Sequence, residues 1–177
     1  MGRIVTLLRG VNVGGNRKLP MADLRAALEE GGLAEVATYI QSGNIVCAGT
    51  SAAKIEAAVE AILEKHAGAP IEAIARTAKQ WAGYIDAFPM AAEAKDEPSR
   101  TFLLLAKAKP SAGAADALAE RAQNGERIAV FADALAIHYP EGAGQSKLTP
   151  ALLDRLVGTT TTQRNWNTVL KLKEMAG

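Results

Sequence analysis

The chain has 177 residues and a mass of 18.5 kDa, of which 49% are hydrophobic, 5% aromatic and 22% charged. That apolar content excludes a disordered chain, no stretch nears the roughly 20 apolar residues of a membrane span, and the length suits one domain or two small ones sharing a core. With 20 basic and 19 acidic residues the net charge is +1, which taken whole argues against a nucleic-acid partner. Cys47 is the only cysteine, so an internal disulfide, a four-cysteine zinc site and a CxxC redox motif are excluded. Within Ile45-Val46-Cys47-Ala48 it reads as a small buried hydrophobe. Met1-Gly2-Arg3-Ile4-Val5-Thr6 fits the loose myristoylation pattern, but a lipid there competes with a core strand over Ile4 to Leu8. No secretory signal is expected, and the cytoplasm is the expected compartment.

In chain order, Ile4 to Leu8 is a short aliphatic and β-branched run that predicts a buried strand. A loop, Gly10 to Lys18, leads to a helix that begins at Pro20, repeats Met21, Leu24, Ala27 and Leu28 at helical spacing, and stops at Gly31-Gly32. Val36 to Gln41 and Ile45 to Ala48 predict two strands around the turn Ser42-Gly43-Asn44. Ser51 is placed to cap the next helix, with Ile55, Val59, Ile62 and His66 on one face, and Ile71 to Arg76 predicts the closing strand. The order strand, helix, strand, strand, helix, strand is that of a ferredoxin-like domain.

The second half opens with a helical connector, Thr77 to Ala87, around Trp81 and Tyr84. Phe88 to Arg100, with two prolines and mixed charge, is the expected boundary segment. Thr101 to Ala106 predicts an apolar strand, Pro110 to Gln123 an Ala-rich helix, and Arg127 to Phe131 with Leu135 to Tyr139 a tight hairpin. Thr149 and Pro150 are set as cap and first residue of a helix that ends at Gly158, with Leu148 and Leu153 as a hydrophobic staple. Thr162 is expected to cap a last helix from Gln163 to Met175, whose apolar face holds Trp166, Val169, Leu170 and Leu172. The fold class is therefore α+β, two ferredoxin-like βαββα(β) halves with antiparallel or mixed sheets covered by helices. The expected domains are residues 1–87, with the helical connector, and 88–177, with two terminal helices.

Two segments concentrate the chemistry. The Gly10 to Lys18 loop leaves a strand and enters a helix, so its amides and the positive helix end suit an anion. Gly14 and Gly15 permit close backbone approach, and Arg9, Arg17 and Lys18 add charge, with Asn12 and Asn16 as hydrogen-bonding partners. Its glycine spacing imitates a phosphate-binding P-loop, but Asn16-Arg17 stands where Lys and Ser or Thr belong, and Asn12 breaks the dinucleotide pattern. Nucleoside triphosphate hydrolysis is rejected on that ground. The second segment, Thr159 to Asn167, places Arg164, Asn165 and Asn167 near a helix start, with Trp166 read as a core anchor and a stacking platform as the alternative.

The remaining candidates read as structural. Ser146-Lys147 is not a Ser–Lys dyad merely by adjacency. His66 falls at a helix C-terminus and His138 in a strand, with no further ligand at metal spacing. Glu56, Glu60 and Glu64 read as a solvated stripe on the outside of a helix. The sequence points to no metal and no cofactor.

Leu8-Arg9-Gly10-Val11-Asn12-Val13-Gly14-Gly15-Asn16, Pro20-Met21-Ala22-Asp23-Leu24, Tyr39-Ile40-Gln41-Ser42-Gly43-Asn44 and Arg164-Asn165-Trp166-Asn167-Thr168-Val169 resemble signature segments of a bacterial family, domain of unknown function 1697. The resemblance spans almost the whole chain. It implies a cytoplasmic protein of two similar ferredoxin-like halves, and it carries no activity, cofactor or catalytic residue.

The best functional expectation is a binding protein for an anionic ligand, a phosphorylated small molecule or a nucleic-acid backbone, at the glycine loop and the start of the last helix. An enzyme acting on a phosphorylated or carboxylated metabolite is the alternative, with Arg9, Lys18 and Arg164 as the anion clamp. A structural, oligomer-forming protein is the second alternative. Base-stacking RNA recognition is disfavoured because Ile4 to Leu8 has no aromatic residue. No membrane partner is expected. The near-neutral charge is itself a cancellation: residues 1–18 carry Arg3, Arg9, Arg17 and Lys18 and no acid, residues 146–177 carry five basic and two acidic groups, and the middle is acidic. An anionic partner is thereby confined to a local site.

Overall fold

The structure is a computed structural model that describes residues 1–13 and 18–177. It divides into two units: Met1–Ala82 with Leu172–Gly177, and Gly83–Lys171.

In the first unit, β1 (Gly2–Leu8) is followed by α1 (Met21–Glu30), β2 (Ala37–Tyr39), β3 (Asn44–Gly49), α2 (Ala52–Ala67) and β4 (Ala73–Thr77). The strands form one antiparallel sheet in the order β2-β3-β1-β4. The apolar face of the sheet holds Ile4, Leu8, Ile45, Cys47, Ala73 and Ala75, packed with Leu24 and Leu28 of α1 and Val59 and Leu63 of α2. Period-2 alternation in the strands and the i, i+4 pairs of the helices supply those faces. The other sheet face, with Val5, Leu7, Val46 and Ile74, is buried as well. Ser51 caps α2 by accepting a bond from the Lys54 amide at 3.4 Å, whereas Pro20 stands one place before α1 rather than inside it.

The connector forms α3 (Ala78–Asp86), and the expected boundary segment contains a short helix that its mixed charge concealed, α4 (Ala91–Asp96). The second unit continues with β5 (Thr101–Ala106), α5 (Ala114–Arg121), β6 (Arg127–Phe131), β7 (Ala134–His138), α6 (Pro150–Val157) and β8 (Thr161–Asn165), and α7 (Trp166–Ala176) ends the chain. Its antiparallel sheet has the order β6-β7-β5-β8, the order of the first sheet again. Leu104, Ala106, Leu135 and Ile137 of this sheet, with Tyr139 just after β7, pack with Leu118 of α5 and Leu153 and Val157 of α6. Thr149 caps α6 through the Leu152 amide, with Pro150 at the helix start, and the chain leaves at Gly158 in the left-handed conformation. Both halves are thus complete βαββαβ ferredoxin-like units. α5 is shorter at both ends than the Pro110 to Gln123 expected of it.

The repeat extends to side chains. The last strand of each sheet lies at an edge, and the helix before it supplies carboxylates to that strand's outward amides. Glu60 accepts from the Ala73 amide and Glu56 from the Ala75 amide, each at 2.9 Å. In the second unit Asp154 of α6 accepts from both the amide and the hydroxyl of Thr161, at 2.9 and 2.8 Å. A bare strand edge is a template for aggregation, and these carboxylates occupy it. Glu56 and Glu60 are therefore half-buried strand caps and not members of a solvated stripe; Glu64 alone of the three is exposed. Each last strand also buries one arginine at an equivalent register: Arg76 opposite Val5, and Arg164 opposite Leu103.

Candidate functional site

The segment after β1 is held by its own side chains. Asn12 adopts a left-handed backbone, φ 54°, a conformation Asn tolerates better than most residues. Its amide nitrogen donates to the carbonyls of Leu19, at 2.8 Å, and Gln41, at 2.7 Å, and its amide oxygen accepts from the Leu19 amide at 2.7 Å. Both ends of the Asn12 side chain are thus engaged in clasping the loop to the entry of α1 and to the β2–β3 turn. In that turn Gly43 has φ +79°, its carbonyl accepts from the Leu8 amide at 2.8 Å, and a Cβ there would lie 2.6 Å from Val11 Cγ2 and 2.7 Å from Leu8 Cβ. Only glycine fits that close approach. Asn44, wholly buried, donates to the Tyr39 carbonyl and the Ser42 hydroxyl. The Leu8–Asn12 and Tyr39–Asn44 segments therefore meet at one end of the first sheet. Gly14, Gly15, Asn16 and Arg17 lie outside the described residues.

Lys18 is exposed. It lines a cleft of about 280 Å³ together with Asp23, His66 and an apolar wall that includes Leu19, Pro20 and Ile71. α1 and the end of α2 build this cleft: α2 carries Lys65 and His66 in its last turn, where cations complement the helix dipole, before Gly68 turns the chain away. His66 also borders a shallower groove between the two helices, where Gly31 lets Ile62 approach: a Cβ on Gly31 would lie 2.3 Å from Ile62 Cδ1. The pairing of Lys18 with His66 escapes a sequence reading because the two belong to separate elements. Arg9, half-buried, bonds through its amide to the Glu72 carbonyl at 2.9 Å.

The second candidate segment differs from expectation. Thr161–Asn165 is not the first turn of a helix but strand β8, and the last helix begins at Trp166. A run with no aliphatic residue gives no apolar periodicity, so the strand is hidden; its β-branched threonines were the available signal. Strand alternation then separates the candidates. Gln163 accepts from the Tyr139 hydroxyl at 2.9 Å on the helix-covered face. Arg164 is buried on the other face, where its guanidinium donates to the Thr162 hydroxyl at 2.7 Å and the Gln163 carbonyl at 2.8 Å. Burial pulls its pKa down to about 10, which leaves it charged at neutral pH. Asn165 accepts from the Thr168 amide at 3.0 Å and so caps α7, the role first expected of Thr162. Asn167 is exposed, and Trp166 is buried, its ring centroid 4.2 Å from that of Phe88. Arg164, Asn165 and Asn167 thus do not converge on one surface.

The other candidates have structural partners. Ser146 donates to Glu126 at 2.7 Å and accepts from the Leu148 amide at 3.1 Å. His138 Nε2 lies 3.1 Å from Glu97 Oε2. Cys47 is buried, and burial pushes its thiol above the ordinary range. Among the described residues no three His, Cys, Asp or Glu side chains converge as metal ligands, and no helix is long and apolar enough to cross a membrane.

The chain is similar in fold to the conserved bacterial protein SP0830 from Streptococcus pneumoniae, with a TM-score of 0.76 and 24% identity over 99% of this chain and 98% of that one. No curated protein matches it. The profile of a family described as protein of unknown function (DUF1697) matches residues 1–135, which takes in the clasped loop, the cleft and the β2–β3 turn and leaves the Arg164–Val169 segment beyond the match. The chain belongs to the DUF1697 family.

Proposed function

We propose that the protein is a cytoplasmic binding protein for a small anionic ligand, taken at the entry of α1. One observation carries this reading: the cleft of about 280 Å³ in which Lys18 and His66 border the start of α1 above an apolar wall. Pro20 offers no side-chain cap, so the first-turn amides of α1 lack intrahelical acceptors. The positive end of the helix adds to the Lys18 ammonium, and the His66 imidazole supplies a further hydrogen-bonding group. Asp23 borders the same cleft and repels an extended polyanion. A nucleic-acid backbone needs cations along a stripe, whereas Leu19 and Ile71 favour a ligand with an apolar portion. A phosphorylated small molecule fits that combination best.

The test is thermal unfolding of the full chain with inorganic pyrophosphate, and with a short single-stranded RNA at two salt concentrations. At a hundred times its Kd a ligand adds about 2.7 kcal/mol, roughly 5–10 °C in Tm for a chain of this size. Stabilisation by pyrophosphate that Lys18→Gln removes, without a comparable response to RNA, supports the proposal. No stabilisation, or one that Lys18→Gln leaves intact, overturns it.

A further inference from the structure

The chain has eight aromatic side chains, and four of them gather in the second unit. Phe88 lies against Trp166 at 4.2 Å between ring centroids, and Phe131 meets Phe88 edge-on at 5.6 Å and Tyr84 at 6.2 Å. The Tyr84 hydroxyl donates to Asp133 at 2.5 Å, which ties α3 to the β6–β7 turn beside the cluster. This arrangement fixes the rings of Phe88 and Trp166, because each is held by neighbours on a separate element.

Beside these two rings a groove of about 390 Å³ opens between α4 and the start of α7. Ile85 and Leu170 are among its apolar walls, and among the described residues Lys95 is the one cation on it, Asn167 the one amide, and no carboxylate lines it. Leu170 is 47% exposed, an apolar side chain left in water on the last helix. The volume lies within the range of small-molecule sites, whose walls are apolar and whose few polar groups fix orientation. A polyphosphate finds too few donors here, and an uncharged hydrocarbon leaves Lys95 without a counter-charge. The chemistry that matches is one anionic group on a flat apolar body.

We propose that this groove is a second ligand site, which takes an aromatic monocarboxylate: its ring against Trp166 and Leu170, its carboxylate toward Lys95 and the Asn167 amide. It stands independently of the Lys18–His66 cleft, from which it differs in unit, in walls and in ligand class.

The test uses the full chain, 2-naphthoate as probe, and the indole N–H resonances of the two tryptophans. Trp81 is fully buried and off the groove, so it serves as an internal reference. The expected result is a saturable shift of the Trp166 resonance with Trp81 unmoved. Affinity should fall tenfold or more in Lys95→Gln, and similarly for the uncharged probe 2-naphthalenemethanol, because a charge-assisted contact is lost in both cases. Leu170→Glu, a change at an exposed position, should weaken binding as well by placing a like charge on the groove. Absence of a saturable Trp166 shift overturns the proposal. So does equal binding of the carboxylate and the alcohol, or affinity unchanged in Lys95→Gln. Lys18→Gln should leave the 2-naphthoate response intact, so a failed cleft and a failed groove give separate results.

Discussion

Two buried threonines make the same substitution act with opposite sign. Thr6 lies on the helix-covered face of the first sheet, between Ile4 and Leu8, opposite Ile45 and Ala75. It is 0% exposed, and among the described residues its hydroxyl has no hydrogen-bond partner. Thr101 is equally buried, but its hydroxyl donates to the Glu97 carbonyl at 2.9 Å. Valine has nearly the shape of threonine and at least its strand propensity. In Thr6→Val the desolvation penalty of an unmet hydroxyl, about 1–3 kcal/mol, disappears and a methyl replaces it. We expect stabilisation by about 1–2 kcal/mol. In Thr101→Val a made bond is lost at a net cost of about 1 kcal/mol. With roughly 2–4 °C per kcal/mol for a chain of this length, Thr6→Val should raise Tm by roughly 3–6 °C and Thr101→Val should lower it by roughly 2–4 °C. Calorimetry on the two variants and the parent settles the matter. If Thr6→Val is neutral or destabilising, the hydroxyl is satisfied and the reasoning fails.

Three further outcomes follow from the same geometry. Glu56→Ala and Glu60→Ala should each cost about 1 kcal/mol in urea unfolding and increase aggregation on heating, because each uncovers an outward amide of β4; an unchanged midpoint for both would show the caps to be idle. Gly43→Ala should destabilise by 2 kcal/mol or more, roughly the sum of positive-φ strain and contact with Leu8 and Val11, and a variant of parental stability refutes the close approach. Burial raises the Cys47 thiol, so the unfolded chain ionises first as pH rises. The stability that Cys47 contributes is complete below the unfolded thiol pKa of about 8.5 and declines above it. Relative to Cys47→Ala, the parent should therefore lose stability above that pH, and a constant difference would contradict this.

The amino-acid pattern was most legible where a face is apolar. β1, β5 and β6 announce themselves by aliphatic runs, and Ser51 and Thr149 mark the starts of α2 and α6 because a side-chain oxygen before a periodic run has one main use. β8 was opaque for the converse reason. Thr161, Thr162 and Arg164 are buried by what surrounds them and not by their own hydrophobicity, and burial of that kind leaves no trace in periodicity. The roles of Glu56 and Glu60 were hidden likewise: a carboxylate every four residues on a helix looks solvated until an edge strand is known to lie beside it. At the candidate site, sequence indicated the charge of Lys18 and the helix start it precedes. It did not indicate His66, which reaches the cleft only through the packing of α2 beside α1. Nor did it show that Asn12, chosen as a ligand contact, has its amide engaged within the loop.

Binding of an anion at the entry of α1 is read out by amide chemical-shift mapping of the full chain during titration with inorganic pyrophosphate. The expected result is saturable shifts confined to Lys18–Asp23 and His66–Ile71, the residues about the cleft, which collapse in Lys18→Gln. Shifts that map elsewhere, or no saturable shift at millimolar pyrophosphate, would contradict it.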